Sequence, residues 1–535
     1  MKEGHVVRKL DTQTIRKIQT AIRKNIAELE KTKGFVAAEP GFRTVNGWIK
    51  HEPAIVVSVA EKLPKSELLS EDIAPKKLDG FRVDVVQASP EQLLASSDDF
   101  AGVMGTLALA ATSLTYEKRP GNPIDSLFTL TKPMTCHSGP DAGWPVLDKF
   151  LRGTKKTLTV AIYDLNAPYI VKTLIETIRA NDTRKLVLVW DAGMTQDEPR
   201  YRAELKEKLG AQMDGWLATS VMKGGGTRWS SAYHEKVAVR DRKAFWLSRG
   251  NWSKRSQPGI DPIGSPADAA GMYGKGNREW HIVVEDEPLA RVFEDYILYD
   301  RDGSHDAATA LAALDLQMPD VLVPAAYLAL PADLALAAPN PVAPQVLPTH
   351  GQPYQVRPLL CPDNYIERIT KFVKSAQHKL SLQFAYITYS KSPDDRKFRA
   401  LLDYLCELSY KPSFDLRVIV NNDPEKIRKL VEAGFNEKKL KVQSNIHNKA
   451  IIVDDQAALV CSANWSGDGT LRNRDAGLII YDPEVTAYFQ AIYDDDWNLR
   501  AKQDFGDPVP VQLAAPGQPT PSGMVRIRWE DFHND

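Results

Sequence analysis

Residues 234–253, HEKVAVRDRKAFWLSRGNWS, return at residues 447–466 as HNKAIIVDDQAALVCSANWS. His234, Lys236, Asp241, Asn251, Trp252 and Ser253 fall on His447, Lys449, Asp454, Asn464, Trp465 and Ser466 without a gap over twenty residues, a spacing that chance similarity does not hold. After each histidine the runs VAVRD and IIVDD predict a β-strand, on which alternate side chains point to opposite faces. Histidine and lysine stand two residues apart and therefore share a face, so both can enter one cleft.

The same succession of elements leads into each copy. In the first, TLTVAIYDL from Thr157, APYIVKTLIETIRA and KLVLVWDA from Lys185 read as strand, helix and strand. In the second, KLSLQFAYI from Lys379, FRALLDYLCELS and DLRVIVNND from Asp415 do so, with a helical EVTAYFQAIYDDDW after the motif. Strands alternating with helices predict α/β halves, each with a largely parallel central sheet, packed face to face around one site. Ahead of them, Ile15, Ile18, Ile22, Ile26 and Leu29 recur at helical spacing, with Gly34 as a stop, and β-rich runs follow from Ala54 and Phe81. The expected organisation is a small α+β domain over 1–125, a first half over 126–302, a linker or lid over 303–352, a second half over 353–505 and a tail over 506–535. The Ala-, Leu- and Pro-rich stretch between the halves has prolines too frequent for one long helix. It reads as a linker with a short helix, or else as an apolar lid or lipid-contacting surface. The first segment looks like an accessory domain found beside bacterial hydrolases and trypsin-like proteases.

Composition narrows the partners. Across 535 residues, 68 Lys and Arg stand against 69 Asp and Glu, a formal net charge of −1, so any attraction to a polyanion must be local. Cys136, Cys361, Cys406 and Cys461 lack metal-type spacing and read as unpaired thiols of a reducing compartment. No run suggests a signal peptide or a membrane span, so a soluble cytoplasmic protein is expected. His137 and His281, with no ligand cluster near them in sequence, read as ordinary satisfied histidines.

The paired motif suits a phosphodiester. Imidazole can attack phosphorus or pass a proton, and ammonium neutralises a non-bridging oxygen. Asn251 and Asn464, at the end of the following strand, can donate to the same oxygens as charge accumulates in a pentacoordinate transition state. Neither role requires a metal or another cofactor. Trp252 and Trp465, symmetric in the two halves, read as wedges packed beneath the site rather than as base-stacking platforms.

Over roughly residues 130–500 the sequence resembles the phospholipase D superfamily, whose mark is His-x-Lys-x-x-x-x-Asp followed by Gly-Ser-x-Asn. The resemblance implies one active site built from both copies, in which one histidine becomes a phosphohistidine and the other protonates the leaving alcohol. It implies His234 as nucleophile and His447 as general acid and then base, with the reverse assignment open. Lys236, Lys449, Asn251, Asn464 and Ser462 would hold phosphate, and Asp241 and Asp454 would serve structure. Asn277, Arg278 and Glu279 match Asn473, Arg474 and Asp475, and the resemblance gives Glu279 and Asp475 the task of holding a histidine through its second ring nitrogen. About seventeen extra residues precede Glu279, a Gly- and Pro-rich loop expected beside the cleft as a specificity element.

One position departs from the pattern. Where the family has Gly-Ser, the second half has Cys461 and Ser462 but the first has Ser248 and Arg249. Arg249 either adds a permanent cation to the phosphate site or points outward. The expected function is a phosphodiesterase acting by hydrolysis or transfer of a phosphatidyl group on phospholipid, with possible peripheral membrane contact and no obligate dimer. The apolar stretch Leu330 to Leu347 speaks for lipid. A metal-independent nuclease is the alternative, for which speak the basic residues Arg240, Arg242, Lys243, Lys254, Arg255, Lys275, Arg278, Arg472 and Arg474. A non-catalytic phosphate-binding module is the third reading, carried by Arg249.

Overall fold

The strands that follow the two histidines, Lys236–Arg240 and Lys449–Val453, lie in the interiors of two eight-stranded sheets in a computed structural model. The model describes residues 9–97, 119–121, 123–191, 198–218, 229, 231–304, 319–324, 340–503, 505, 510–515 and 518–527. Alternation along these strands feeds two cores at once. Val237, Val239, Ala450 and Ile452 join one cluster that spans both halves, together with Phe293, Tyr296, Phe489 and Tyr493 from the helices Glu287–Gly303 and Pro483–Asp495. Ala238 and Ile451 turn the other way, each into the helical layer of its own half. The fold is α/β, with two matching halves packed on a shared apolar seam.

The sheets are less parallel than the succession of strands and helices suggests. In the first, Thr157–Ile162, Lys185–Asp191 and Met213–Ala218 are parallel neighbours, linked by the helices Pro168–Arg179 and Glu198–Leu209. The motif strand instead pairs antiparallel with both Thr157–Ile162 and Ala244–Ser248, and Ala244–Ser248 pairs antiparallel with Glu279–Val284. The cause is local: Asp241 and Arg242 take φ of 55° and 59°, as Asp454 and Asp455 take 50° and 57°, a tight turn that sends the chain straight back. In these two sheets the described parallel neighbours are the strands joined through helices.

Two short strands cross the boundaries expected at 126 and 353. Phe128–Leu130 adds to the edge of the second sheet, and Gln345–Leu347 to the edge of the first, so the halves exchange edges. Most of the Ala-, Leu- and Pro-rich stretch, including 330–339 of its apolar run, lies outside the described residues. Asp320–Pro324 within it pairs with Gln512–Ala514 and Met524–Ile527, so the C-terminal segment is partly sheet.

The N-terminal unit has the sheet order Phe35–Val45, Trp48–Val59, Phe81–Gln87, Lys77–Leu78. Ile18, Ile22 and Leu29 pack on Ile55, Val57 and Val59. The helix is broken: Thr12–Lys24 ends at Asn25, whose amide donates to Ala21 O at 2.8 Å and to Asp79, and Ile26 beyond the break is exposed. This unit docks on the second half. Phe42 and Ile49 enter that half's core, the amide of Phe42 donates to Glu432 Oε1 at 2.8 Å, and Arg428 pairs with Glu39 at 3.0 Å.

Charge as well as apolar surface locks the seam. Arg474 is wholly buried and donates twice to Asp300, at 2.7 Å each, and once to Asp363 at 2.5 Å. Arg278 does the same toward Asp141 at 2.5 Å and Asp496 at 3.2 Å. Both were candidates for a basic surface, yet neither reaches it. Arg474→Met should leave Asp300 and Asp363 buried without their cation, at a cost of about 3–5 kcal/mol read as a lower midpoint of denaturant unfolding. An unchanged midpoint would show that the pairs do not hold the halves together.

Candidate active site

Each motif histidine sits two residues before its strand begins, at the point where the chain touches the opposite half. His234 N donates to Arg474 O at 2.8 Å and Arg474 N to Ala232 O at 2.8 Å. In the mirror arrangement Arg278 N donates to Asn445 O at 2.8 Å and His447 N to Arg278 O at 3.2 Å. These bonds set the residue after each arginine beside the other half's histidine. His234 Nδ1 lies 2.7 Å from Asp475 Oδ1, and His447 Nδ1 lies 2.6 Å from Glu279 Oε1. The carboxylates therefore cross the seam, each serving the histidine of the opposite half. With Nδ1 as donor, Nε2 is left as the chemically available nitrogen, and that of His234 has no hydrogen-bond partner among the described residues.

All four groups are wholly buried, as are Lys236, Lys449 and Arg249, and Asn251 and Asn464 nearly so. Burial sets their protonation. It pushes His234 down to about 3, with Lys236 adding to the shift and Asp475 opposing it. His447 falls well below its ordinary range through burial, Lys449 and Arg249. Lys236 is pushed down to about 7 by burial against the pull of Asp475, and Lys449 is lowered by burial and by the Arg249 and Lys236 charges. Burial alone would raise Asp475, but His234, Lys236 and Ser462 outweigh it and hold the carboxyl below its usual value. The lysines lean back on their own motifs, Lys236 Nζ donating to His234 O at 2.9 Å above the Tyr163 ring, Lys449 Nζ to His447 O at 3.4 Å.

Arg249 points inward. Its Nη1 donates to Cys461 O at 3.3 Å, while Nε and Nη2 have no partner among the described residues. Burial lowers the guanidinium to about 9, opposed mainly by Glu279, which leaves it charged at neutral pH. The outward reading of this residue is thereby corrected. Ser462, expected on the phosphate, is committed elsewhere: its hydroxyl donates to Asp475 Oδ1 at 2.7 Å and accepts from Ala476 N at 3.0 Å. Asp475 thus carries a serine, whereas Glu279 faces an arginine.

Other expected residues lie away from the centre. Asp241 accepts from the amides of Lys155, Lys156 and Thr157, and Asp454 from those of Gln377, His378 and Lys379, each closing the entry to a neighbouring strand. Trp252 and Trp465 are buried in their halves' cores, Trp465 stacked 4.1 Å from Phe384. His137 and His281 stack on each other at 4.8 Å, His281 Nδ1 lying 2.6 Å from Ser248 Oγ, and burial holds both below their ordinary range. Among the described residues, no group of three or more His, Cys, Asp or Glu is placed to hold a metal ion.

The inserted loop before Glu279 carries two short turns of helix, Pro266–Ala269 and Met272–Lys275. It lies against the second half at the entry to His447: Asn445 Nδ2 donates to Tyr273 O at 2.8 Å, and Arg255 Nη2 to Asn445 Oδ1 at 2.6 Å. The basic residues expected to form a polyanion track are mostly spent in ion pairs: Arg240 with Glu285, Arg242 with Glu294 and Asp295, Arg472 with Asp395 and Asp468. Lys243, Lys254 and Lys275 remain exposed.

Residues 369–497 match the family model described as cardiolipin synthase, PLD-like domain. Residues 369–497 thus belong to the phospholipase D superfamily. A curated relative, the mitochondrial cardiolipin hydrolase of Chlamydomonas reinhardtii, is 28% identical over 102 residues, 18% of this chain. The match spans 45% of that relative's own length. Among solved structures, phosphatidylserine synthase of Haemophilus influenzae aligns with a TM-score of 0.44 at 14% identity, over 75% of this chain and 92% of that one. A phospholipase D family member from Salmonella typhimurium, Nuc, aligns with a TM-score of 0.23 at 19% identity, over 28% of this chain and 95% of its own.

Asp475→Asn and Glu279→Gln keep shape but remove the charge that orients each imidazole, and each should reduce turnover of bis(4-nitrophenyl) phosphate by about 10²–10⁴-fold. Near wild-type rates in either variant would mean that the carboxylates are structural only.

Proposed function

We propose that the protein is a phosphodiesterase that cleaves phospholipid by two-step transfer through a phosphohistidine, releasing the phosphatidyl group to water or to another alcohol. The crossed histidine–carboxylate pairs carry this reading, because they give one closed site two imidazoles of the same tautomer with separate anionic anchors. In the first step His234 Nε2 attacks phosphorus, the bond from phosphorus to the leaving oxygen breaks, and the His447 imidazolium gives its Nε2 proton to that oxygen. In the second, His447 takes a proton from water or an alcohol as its oxygen attacks phosphorus and the phosphorus–nitrogen bond breaks. Lys236, Lys449, Asn251, Asn464 and Arg249 neutralise and orient the non-bridging oxygens as charge builds up. Arg249 is among the charges that keep His447 neutral, so its Nε2 proton is taken up as the phosphodiester anion enters and offsets that charge.

Among the described residues, the pairing of the arginines around the motifs favours lipid over nucleic acid. A polyanion is held through several phosphates at once, and most arginines around the motifs are neutralised by carboxylates. The family model and the curated relative both carry names of cardiolipin enzymes, and cardiolipin is a phospholipid. An arginine inside the site does not by itself argue for loss of turnover, since both histidines keep their partners.

Side-by-side assay of the purified chain on phospholipid vesicles and on single-stranded DNA, with EDTA present throughout, should show release of headgroup from the vesicles. His234→Asn and His447→Asn should each abolish it. Cleavage of DNA alone would move the substrate to nucleic acid, and no cleavage of either would favour a binding module. The pH dependence has a definite sign. Lys236, pushed down to about 7 by burial, is charged below that value and neutral above it. KM for a phosphodiester should therefore rise as pH rises through about 7, and a flat KM there would remove Lys236 from phosphate binding.

A further inference from the structure

We propose that Gln257, carried by the inserted loop, is a positioning residue for the Glu279–His447 pair, reaching Glu279 through a gap left open by Gly143 and Gly250. The proposal rests on the phosphodiesterase reading above and identifies a device that the second half does not have.

Strand register makes the comparison between halves exact to the residue. Gly139 lies opposite Glu279, and Cys361 opposite Asp475, so Gly139–Gly143 correspond to Cys361–Tyr365. In the second half the Tyr365 ring is wholly buried and its hydroxyl accepts from Trp465 Nε1 at 3.3 Å. The first half has no side chain at position 143. Gln257 Oε1 stands 2.8 Å from the point a Cβ on Gly143 would occupy, so the inserted loop fills space that a tyrosine fills in the other half.

The acids show a second exchange. Glu279 is one methylene longer than Asp475, and a Cβ on residue 250 would lie 1.7 Å from Glu279 Oε2, an impossible contact. The residue aligned with Gly250 is Ala463. Alanine goes with aspartate in one half and glycine with glutamate in the other. The open space beside Gly250 also receives Gln257 Nε2, 2.9 Å from the same absent Cβ, so the amide and the second carboxylate oxygen face each other across it.

Gln257 is wholly buried, and neither end of its amide has a hydrogen-bond partner among the described residues. A buried amide is costly unless bonded, and its N–H beside a carboxylate oxygen has a charged acceptor within a small shift. Its backbone is already fixed, N donating to Ser253 O at 2.9 Å and O accepting from the Tyr169 hydroxyl. That small shift would let Gln257 hold Oε2 while Oε1 faces His447. Because the same loop touches Asn445, two residues before His447, loop and general acid are tied at both ends.

The test uses the full chain on bis(4-nitrophenyl) phosphate. Gly250→Ala should lose turnover by about 10²–10⁴-fold. Adding Glu279→Asp, which withdraws the clashing oxygen, should restore at least about tenfold, and Gln257→Leu should lower kcat about 10–100-fold with KM little changed and the acid limb of the pH profile displaced. A substrate-independent readout is the pair of downfield proton resonances from the two imidazole Nδ1–H groups bonded to carboxylate. Gly250→Ala should remove one of them, and Gly250→Ala with Glu279→Asp should return it. If the wild type cleaves no phosphodiester, the phosphodiesterase reading fails and the resonances alone decide on positioning. Wild-type turnover and both resonances in Gly250→Ala, a double variant no better than Gly250→Ala, or an unshifted pH profile in Gln257→Leu would each overturn the proposal.

Discussion

Two hydrogen bonds between imidazole and carboxylate, His234 to Asp475 and His447 to Glu279, cross the seam between the halves, and the surrounding structure is arranged so that they can. A buried carboxylate is tolerable only where its partner is in place, and here each acid's histidine partner belongs to the opposite half. The halves must therefore meet in one register. Arg278 and Arg474, each adjacent in sequence to an acid, supply that register by bonding through their backbones to the entry of the opposite motif and through their side chains to buried aspartates. Apolar contact alone could slide; these directional contacts could not.

Within that frame the two halves divide the same volume differently. The second half surrounds its acid with Ser462, Ala463 and Tyr365, all buried and satisfied by near neighbours. The first surrounds a longer acid with Arg249, Gly250 and Gln257, and leaves several polar atoms without partners among the described residues. One histidine thus leans on a carboxylate stabilised by a hydroxyl, the other on a carboxylate facing a fixed cation. This difference in electrostatic setting is a physical basis for unequal roles of two residues that occupy equivalent places.

The gapless repeat made the α/β halves and the central His, Lys and Asn residues legible, because strand alternation and motif spacing are local properties. Pairing across the seam is not local. Glu279 and Asp475 could be assigned to a histidine but not to the opposite one, since nothing in a linear repeat distinguishes a closed half from an exchanged one. Strand order alone does not show the sheet turning antiparallel where the three-residue turn Asp241–Lys243 returns the chain without a helix. Arg278 and Arg474 looked like surface charge because their carboxylate partners, Asp141, Asp300, Asp363 and Asp496, are dispersed along the chain. Gly250 against Ala463 was visible, but its meaning depends on where a glutamate oxygen ends up in space.

Placing Lys236, Lys449 and Arg249 together in a wholly buried site is unfavourable in the empty protein, and the lowered proton affinities of all three express that cost. Glu279 and Asp475 are among the groups that offset them, and both are already engaged with histidines. An anion entering the site would relieve the repulsion and favour the lysines' protonated forms. A transition state with two negative charges on phosphorus oxygens relieves more of it than a singly charged ground state. On the proposed mechanism, the same burial that keeps His234 neutral leaves it able to attack and makes an arriving phosphate the group that completes the charge balance; nucleophile and oxyanion site would then be prepared by one physical cause, exclusion of water from the seam.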